Sequence, residues 1–124
     1  MLSIITVTYN AEACLEKTIQ SVINQTYKNI EYIIIDGGSS DKTLSIIKKY
    51  KKYIKYCISE PDKGIYDAMN KGIKIAKGDY INFLNAGDFY YENNVLSYLF
   101  DNLDKSVDLL YGDSYLIDQN GVNV

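Results

Sequence analysis

From Ile4 to Tyr111 the chain switches its hydrophobic period again and again, and that alternation leaves few architectures open to it. Ile4-Ile5-Thr6-Val7-Thr8 is a β-branched run that reads as a buried first strand. Leu15, Ile19, Val22 and Ile23 then recur at helical spacing on one face. Glu31 to Ile35 is a second strand, stopped by Asp36-Gly37-Gly38-Ser39-Ser40. Ser40 or Asp41 is placed to cap a helix whose apolar face carries Leu44, Ile47 and Tyr50. Tyr56-Cys57-Ile58 makes a short third strand. A helix with Ile65, Met69, Ile73 and Ala76 on its inner face follows, with Gly78 placed to end it. Tyr80 to Leu84 is a fourth strand, broken by Asn85-Ala86-Gly87-Asp88. Val95, Leu96, Leu99 and Leu103 mark a fourth helix, and Leu109-Leu110-Tyr111 a fifth strand. Beyond it, Asn120-Gly121 reads as a turn between Tyr115–Ile117 and a piece starting at Val122. Strands and helices in regular alternation predict a parallel sheet covered on both faces. Right-handed crossovers make it an α/β, doubly wound, Rossmann-like sheet, mainly parallel, in one domain spanning 1–124.

Composition removes several chemistries. The chain has no histidine, arginine or tryptophan, so it has neither an imidazole base nor a guanidinium clamp for phosphate. A net charge of -3 without a basic stripe argues against a nucleic-acid partner. Cys14 and Cys57 are too few for a disulfide framework or a zinc site and read as reduced, buried thiols. The N-terminus lacks the basic region of a signal peptide, and no apolar run reaches the ~18 residues of a membrane span. The expected location is cytoplasmic, with peripheral association at the inner face of the membrane left open.

In such a sheet, ligands bind beyond the carboxyl ends of the strands, where strand order reverses. Thr8, Tyr9 and Asn10 follow the first strand, and Asp36, Gly37 and Gly38 the second. Glu60-Pro61-Asp62-Lys63-Gly64 follows the third, and Asn85, Gly87 and Asp88 the fourth. Asp-Gly and Asn-Gly pairs also serve simply as turns. Neither a Gly-x-Gly-x-x-Gly fingerprint nor a P-loop is present. Carboxylates without histidine suit a hard cation, Mg2+ or Mn2+, carried by phosphate oxygens.

Ile5-Thr6-Val7-Thr8-Tyr9-Asn10, Gln25-Thr26-Tyr27 and Ile35-Asp36-Gly37-Gly38-Ser39-Ser40-Asp41-Lys42-Thr43 together resemble the opening of family 2 glycosyltransferases with the GT-A fold. Glu60 to Gly72 and Gly78-Asp79-Tyr80-Ile81 continue the resemblance in order, so that it spans residues 3 to about 113. It implies an inverting transfer of sugar from a nucleoside-diphosphate donor, a UDP-sugar foremost, to a hydroxyl acceptor. The acceptor would be a saccharide or lipid-linked saccharide, in surface polysaccharide or glycoconjugate synthesis. Residue by residue, it places Thr8 and Tyr9 at the base pocket, Asn10 among the nucleotide-sugar-binding residues and Asp36 as the acid of the stretch that holds the nucleoside. Gly37 stands where the family often has the base-reading acid, which leaves its backbone N–H to approach the ring. Asp67 and Asn70, three apart on a helix, face the same rim, and Lys63 is the candidate cation for the diphosphate. In the family's Asp-x-Asp position this chain reads Asn85-Ala86-Gly87-Asp88, so Asp88 is the expected metal ligand and Asn85 its neutral neighbour. No catalytic base is assigned. The acceptor half and the base are expected beyond Val124, which makes the chain the donor-binding half. Two other readings stay open: a non-catalytic nucleotide-sugar-binding module, and an unrelated Rossmann-like interaction domain whose polar rim is turn chemistry.

Overall fold

The computed structural model describes residues 1–122. Four strands, β1 (Leu2–Thr8), β2 (Ile30–Asp36), β3 (Tyr56–Ser59) and β4 (Tyr80–Phe83), form one sheet in the order β3-β2-β1-β4. Every pairing is parallel, and in the central one Leu2 lies opposite Ile30 and Thr8 opposite Asp36. The helices are α1 (Leu15–Ile23), α2 (Thr43–Lys49), α3 (Ile65–Ile75) and α4 (Val95–Phe100).

Burial follows position in the sheet. The central strands are covered on both faces, so Ile33, Ile34 and Ile35 are consecutive and all fully buried. Leu2, Ile4, Tyr32 and Ile34 face one layer with Leu15, Ile19 and Val22 of α1, Ile47 of α2 and Leu96 of α4. Ile5, Ile33 and Ile35 face the other, against Ala68 of α3. The chain walks outward from β1 to β3, then α3 returns it across the opposite face to β4. The direction therefore reverses between β1 and β4, and the expected doubly wound parallel sheet is formed.

The Gln25-Thr26-Tyr27 motif works as a joint. Gln25 is buried; its Nε2 donates to the carbonyls of Ser21 (3.1 Å) and Glu92 (2.6 Å), while its Oε1 accepts the Leu96 N–H (3.1 Å). Tyr27 stacks on Phe100 with ring centroids 5.5 Å apart, so α1 and α4 are locked together. At the opposite end of the sheet from the loops that follow the strands, Oε1 of the buried Glu31 accepts from the Ser3 hydroxyl and the Lys77 and Gly78 amides. Burial alone raises the pKa of Glu31, but these hydrogen bonds outweigh it, and the carboxyl ends below its usual range.

Several expectations fail for identifiable reasons. The inner face of α3 is Ala68 and Gly72, while Ile65 and Ile73 are exposed. The helix seats so close to the sheet that a Cβ on Gly72 would lie 2.6 Å from Cγ2 of Ile5, a gap only the smallest residues allow. Gly78 does not cap α3, which ends at Ile75. It lies against β1 instead, where a Cβ would stand 2.6 Å from the Ser3 nitrogen. No strand forms at 109–111, because Leu109 and Tyr111 are 79% and 90% exposed and no layer covers them. Helix α4 ends at Phe100, short of Leu103. The Asn120–Gly121 turn does form, with the Gly121 N–H on the Asp118 carbonyl. The extended piece starting at Val122 runs into residues 123–124, which lie outside the described residues. Cys57, expected to be buried, is exposed on the edge strand β3, and Cys14 is half-buried. No described helix is long and apolar enough to cross a membrane.

Candidate functional site

The loop after β2 is built around Asp36. Its side chain is buried, and Oδ2 accepts the Gly38 and Ser39 N–H groups at 3.1 and 3.0 Å and the Ser59 hydroxyl at 2.7 Å. Oδ1 accepts the Ser39 hydroxyl. Asp36 thus folds the loop from within, with both oxygens engaged by the protein. Gly38, at φ +85, supplies the left-handed step that brings both amides onto one carboxylate.

The loop after β1 is fastened to this one. Gly37 donates its N–H to the Thr8 carbonyl (2.9 Å), so that amide is not free to approach a ligand ring as the sequence suggests. Asn10, at φ +45, donates its N–H to the Ser39 hydroxyl (2.8 Å) and accepts the Ser40 N–H on Oδ1 (2.9 Å). Tyr9 projects between these contacts with 65% of its surface exposed.

After β3, Asp62 accepts the Gly64 N–H on Oδ1 at 2.9 Å. Asp67, on the first turn of α3, reaches back to accept the Lys63 N–H at 3.0 Å. That hydrogen bond first, then the charges of Lys71 and Lys63, hold the Asp67 carboxyl below its usual range. Lys71 lies 2.9 Å from Glu60 and 3.7 Å from Asp67, and its hydrogen bond to Glu60 raises its pKa. The side chains of Lys63 and Asn70 are exposed. Asp67 therefore shapes its own loop in this structure, and Lys71, unmarked by the sequence, is the cation fixed there.

After β4, Asp88 donates its N–H to the Asn85 carbonyl (2.9 Å) and closes a turn in which Gly87 adopts φ +102. Thr18 of α1 pins this turn, accepting the Gly87 N–H at 3.0 Å and donating to the Asp88 carbonyl at 2.7 Å. The Ala86 N–H bonds the Val7 carbonyl, which holds the turn beside the end of β1.

Two buried polar atoms have no partner among the described residues: the Thr8 hydroxyl and Oδ1 of Asn85. They stand at the ends of β1 and β4, on either side of the switch point. A buried polar group without a partner costs about 1–3 kcal/mol, which a ligand seated there would recover. Among the described residues no three His, Cys, Asp or Glu side chains gather as a metal cluster. The exposed Asp88 carboxylate and the buried, unpartnered Asn85 oxygen are both oxygen donors carried on one turn. By donor chemistry, oxygens of this kind suit a hard cation that takes its remaining ligands from diphosphate and water.

Comparison with known proteins gives the family and the fold. The family model for Glycosyl transferase family 2 matches residues 3–123. The chain belongs to glycosyltransferase family 2. Within that family, an uncharacterized glycosyltransferase of Haemophilus influenzae is 36% identical over 98% of this chain and 50% of its own length. A PGL/p-HBAD biosynthesis glycosyltransferase of Mycobacterium bovis is 36% identical over 91% of this chain and 46% of its own. This family 2 chain thus spans about half the length of the curated relatives it matches. Among solved structures, S. aureus TarS in complex with UDP superposes with a TM-score of 0.70 at 26% identity, covering 77% of this chain and 30% of TarS. A mannosyltransferase of Pyrobaculum calidifontis matches with a TM-score of 0.68 at 20% identity, over 74% of this chain and 29% of its own, a likeness of fold. The sheet is a GT-A type fold, as expected from the sequence.

Proposed function

We propose that this chain is the donor-binding half of an inverting glycosyltransferase that takes a nucleoside-diphosphate sugar. The observation that carries the reading is the pair of unpartnered buried atoms, on Thr8 and Asn85, flanking the switch point. The structures of TarS with UDP and with UDP-GlcNAc, 26% identical to this chain, support a uridine nucleotide as the donor's carrier. Asp36 holds the loop after β2 in place, and Tyr9 offers an aromatic plate for the base. Asp88 and Asn85 would hold Mg2+ or Mn2+, which when bound supplies Lewis-acid stabilisation of the departing diphosphate. In the transfer, the acceptor hydroxyl bonds to the sugar's anomeric carbon as the bond from that carbon to the diphosphate oxygen breaks. The hydroxyl proton passes to a carboxylate base. We assign that base and the acceptor site, for a saccharide or lipid-linked saccharide in glycoconjugate synthesis, to the part of the relatives' length that this chain does not cover.

The test is thermal melting with UDP, GDP and dTDP, each with and without Mn2+. At ligand tenfold above its Kd, binding adds roughly 1.4 kcal/mol, a rise of several degrees for a domain of this size. Asp88→Asn is expected to remove the part of the shift that needs Mn2+ while leaving the melting point of the free protein unchanged. No shift with any of the nucleotides would overturn the reading. The single carboxylate at the cation turn favours one alternative, a binding module without transfer. A donor transfer assay on a chain extended to the relatives' length separates the two.

A further inference from the structure

Gly37 leaves a gap that another loop fills. A Cβ built on Gly37 would lie 2.8 Å from Oδ2 of Asp62 and 3.4 Å from Cδ2 of the Tyr9 ring. Asp62 arrives from the loop after β3, and Tyr9 from the loop after β1. A half-buried carboxylate and an exposed aromatic face therefore converge on one backbone position that has no side chain of its own. Among the described residues, the hydrogen bond that orients Asp62 uses Oδ1, from the Gly64 N–H at 2.9 Å, and Oδ2 is the oxygen turned toward Gly37. The loop carrying it is braced by the Asp67 bond to the Lys63 N–H and by the Lys71–Glu60 ion pair. The acceptor is thus held in place before any ligand arrives.

We infer that Asp62 reads the hydrogen-bonding edge of the nucleobase that stacks on Tyr9. The inference rests on the nucleotide reading above and names the specificity residue within it. An ionised carboxylate only accepts hydrogen bonds. It therefore favours bases with a ring N–H on the pairing edge, which are uracil, thymine and guanine. Cytosine and adenine turn a ring-nitrogen lone pair to the same place, and that lone pair is repelled. Gly37 contributes by lacking a side chain, which keeps the space for Oδ2 open.

The experiment measures affinities of the full chain for UDP, GDP, CDP and ADP with Mn2+ by calorimetry, for wild type, Asp62→Asn and Asp62→Ala. Wild type is expected to prefer UDP or GDP over CDP and ADP by at least about tenfold, the scale of one hydrogen bond to a charged group. Asp62→Asn keeps an oxygen for the Gly64 N–H and adds an amide donor, so it should compress that preference severalfold. Asp62→Ala should weaken UDP and GDP severalfold and, by removing the repulsion, tighten CDP and ADP slightly, so that the preference is lost. Melting of each variant without ligand checks that it is folded. A preference of unchanged size in all three proteins would overturn the role of Asp62 and leave the nucleotide reading standing. No binding of any nucleotide by wild type would overturn both.

Discussion

Replacing Glu31 by Gln is expected to lower stability by about 2 kcal/mol at neutral pH. One carboxylate oxygen there accepts from the Ser3 hydroxyl and from the amides of Lys77 and Gly78. Hydrogen bonds to a charged acceptor are worth roughly 2 kcal/mol each and neutral ones roughly 1, so making the acceptor neutral weakens the set by ~3 kcal/mol. Burying an amide costs less than burying a charge, which returns about 1 of these. The sign of the pH dependence follows from the lowered carboxyl pKa. Its stabilisation is complete above the unfolded value near 4.3 and is lost as pH falls through the lower folded value. Urea unfolding of wild type and Glu31→Gln should therefore give a constant gap from about pH 8 to pH 5.5 that closes below about pH 4. The glutamine variant has no charge to lose at this position, so subtracting the two curves isolates Glu31 from the other acids. A gap under about 0.5 kcal/mol at neutral pH, or one unchanged down to pH 3, would refute the reasoning.

Gly72→Ala should destabilise by about 1–2 kcal/mol in the same urea assay, since overpacking against Ile5 outweighs the ~1 kcal/mol that alanine gains in a helix. Asp36→Asn should weaken nucleotide binding equally with and without Mn2+, because it loosens the loop that Asp36 folds and leaves the cation turn alone. Calorimetry checks this. It should also cost about 3 kcal/mol of stability, since four hydrogen bonds lose a charged acceptor.

The sheet was legible because its two central strands are buried on both faces. A run such as Ile33-Ile34-Ile35 has few other uses, and the polar stops after each strand mark the rim. The inner face of α3 was hidden because close packing there selects Ala68 and Gly72, which carry little hydrophobic signal, over the larger Ile65 and Ile73. Leu109-Leu110-Tyr111 has the composition of a strand, but composition does not reveal whether a covering layer exists. In the site, positions were easier to read than commitments. Asp36, Asn10 and Asp67 stand at the rim where the sequence puts them, yet Asp36 and Asp67 bind their own loops and Asn10 binds the loop after β2. Asp62, named only as a rim residue, and Lys71 carry no role in the sequence reading because what sets them apart is the company they keep in space. The glycine after Asp36 was the available signal for Asp62, since a missing side chain in a polar loop invites another to take its place.

The bonds from Gly37 to Thr8 and from Asn10 to Ser39 and Ser40 make the loops after β1 and β2 a single mechanical part. Ordering one flexible side chain on binding costs about 0.5–1.5 kcal/mol, and whole loops cost more. Here that entropy has already been spent in folding, so a molecule entering beside Tyr9 meets a finished wall. Capture should accordingly be a one-step encounter, its rate linear in ligand concentration with no slow closing phase. Changes in grip would then appear in how long the ligand stays, while its rate of arrival holds steady.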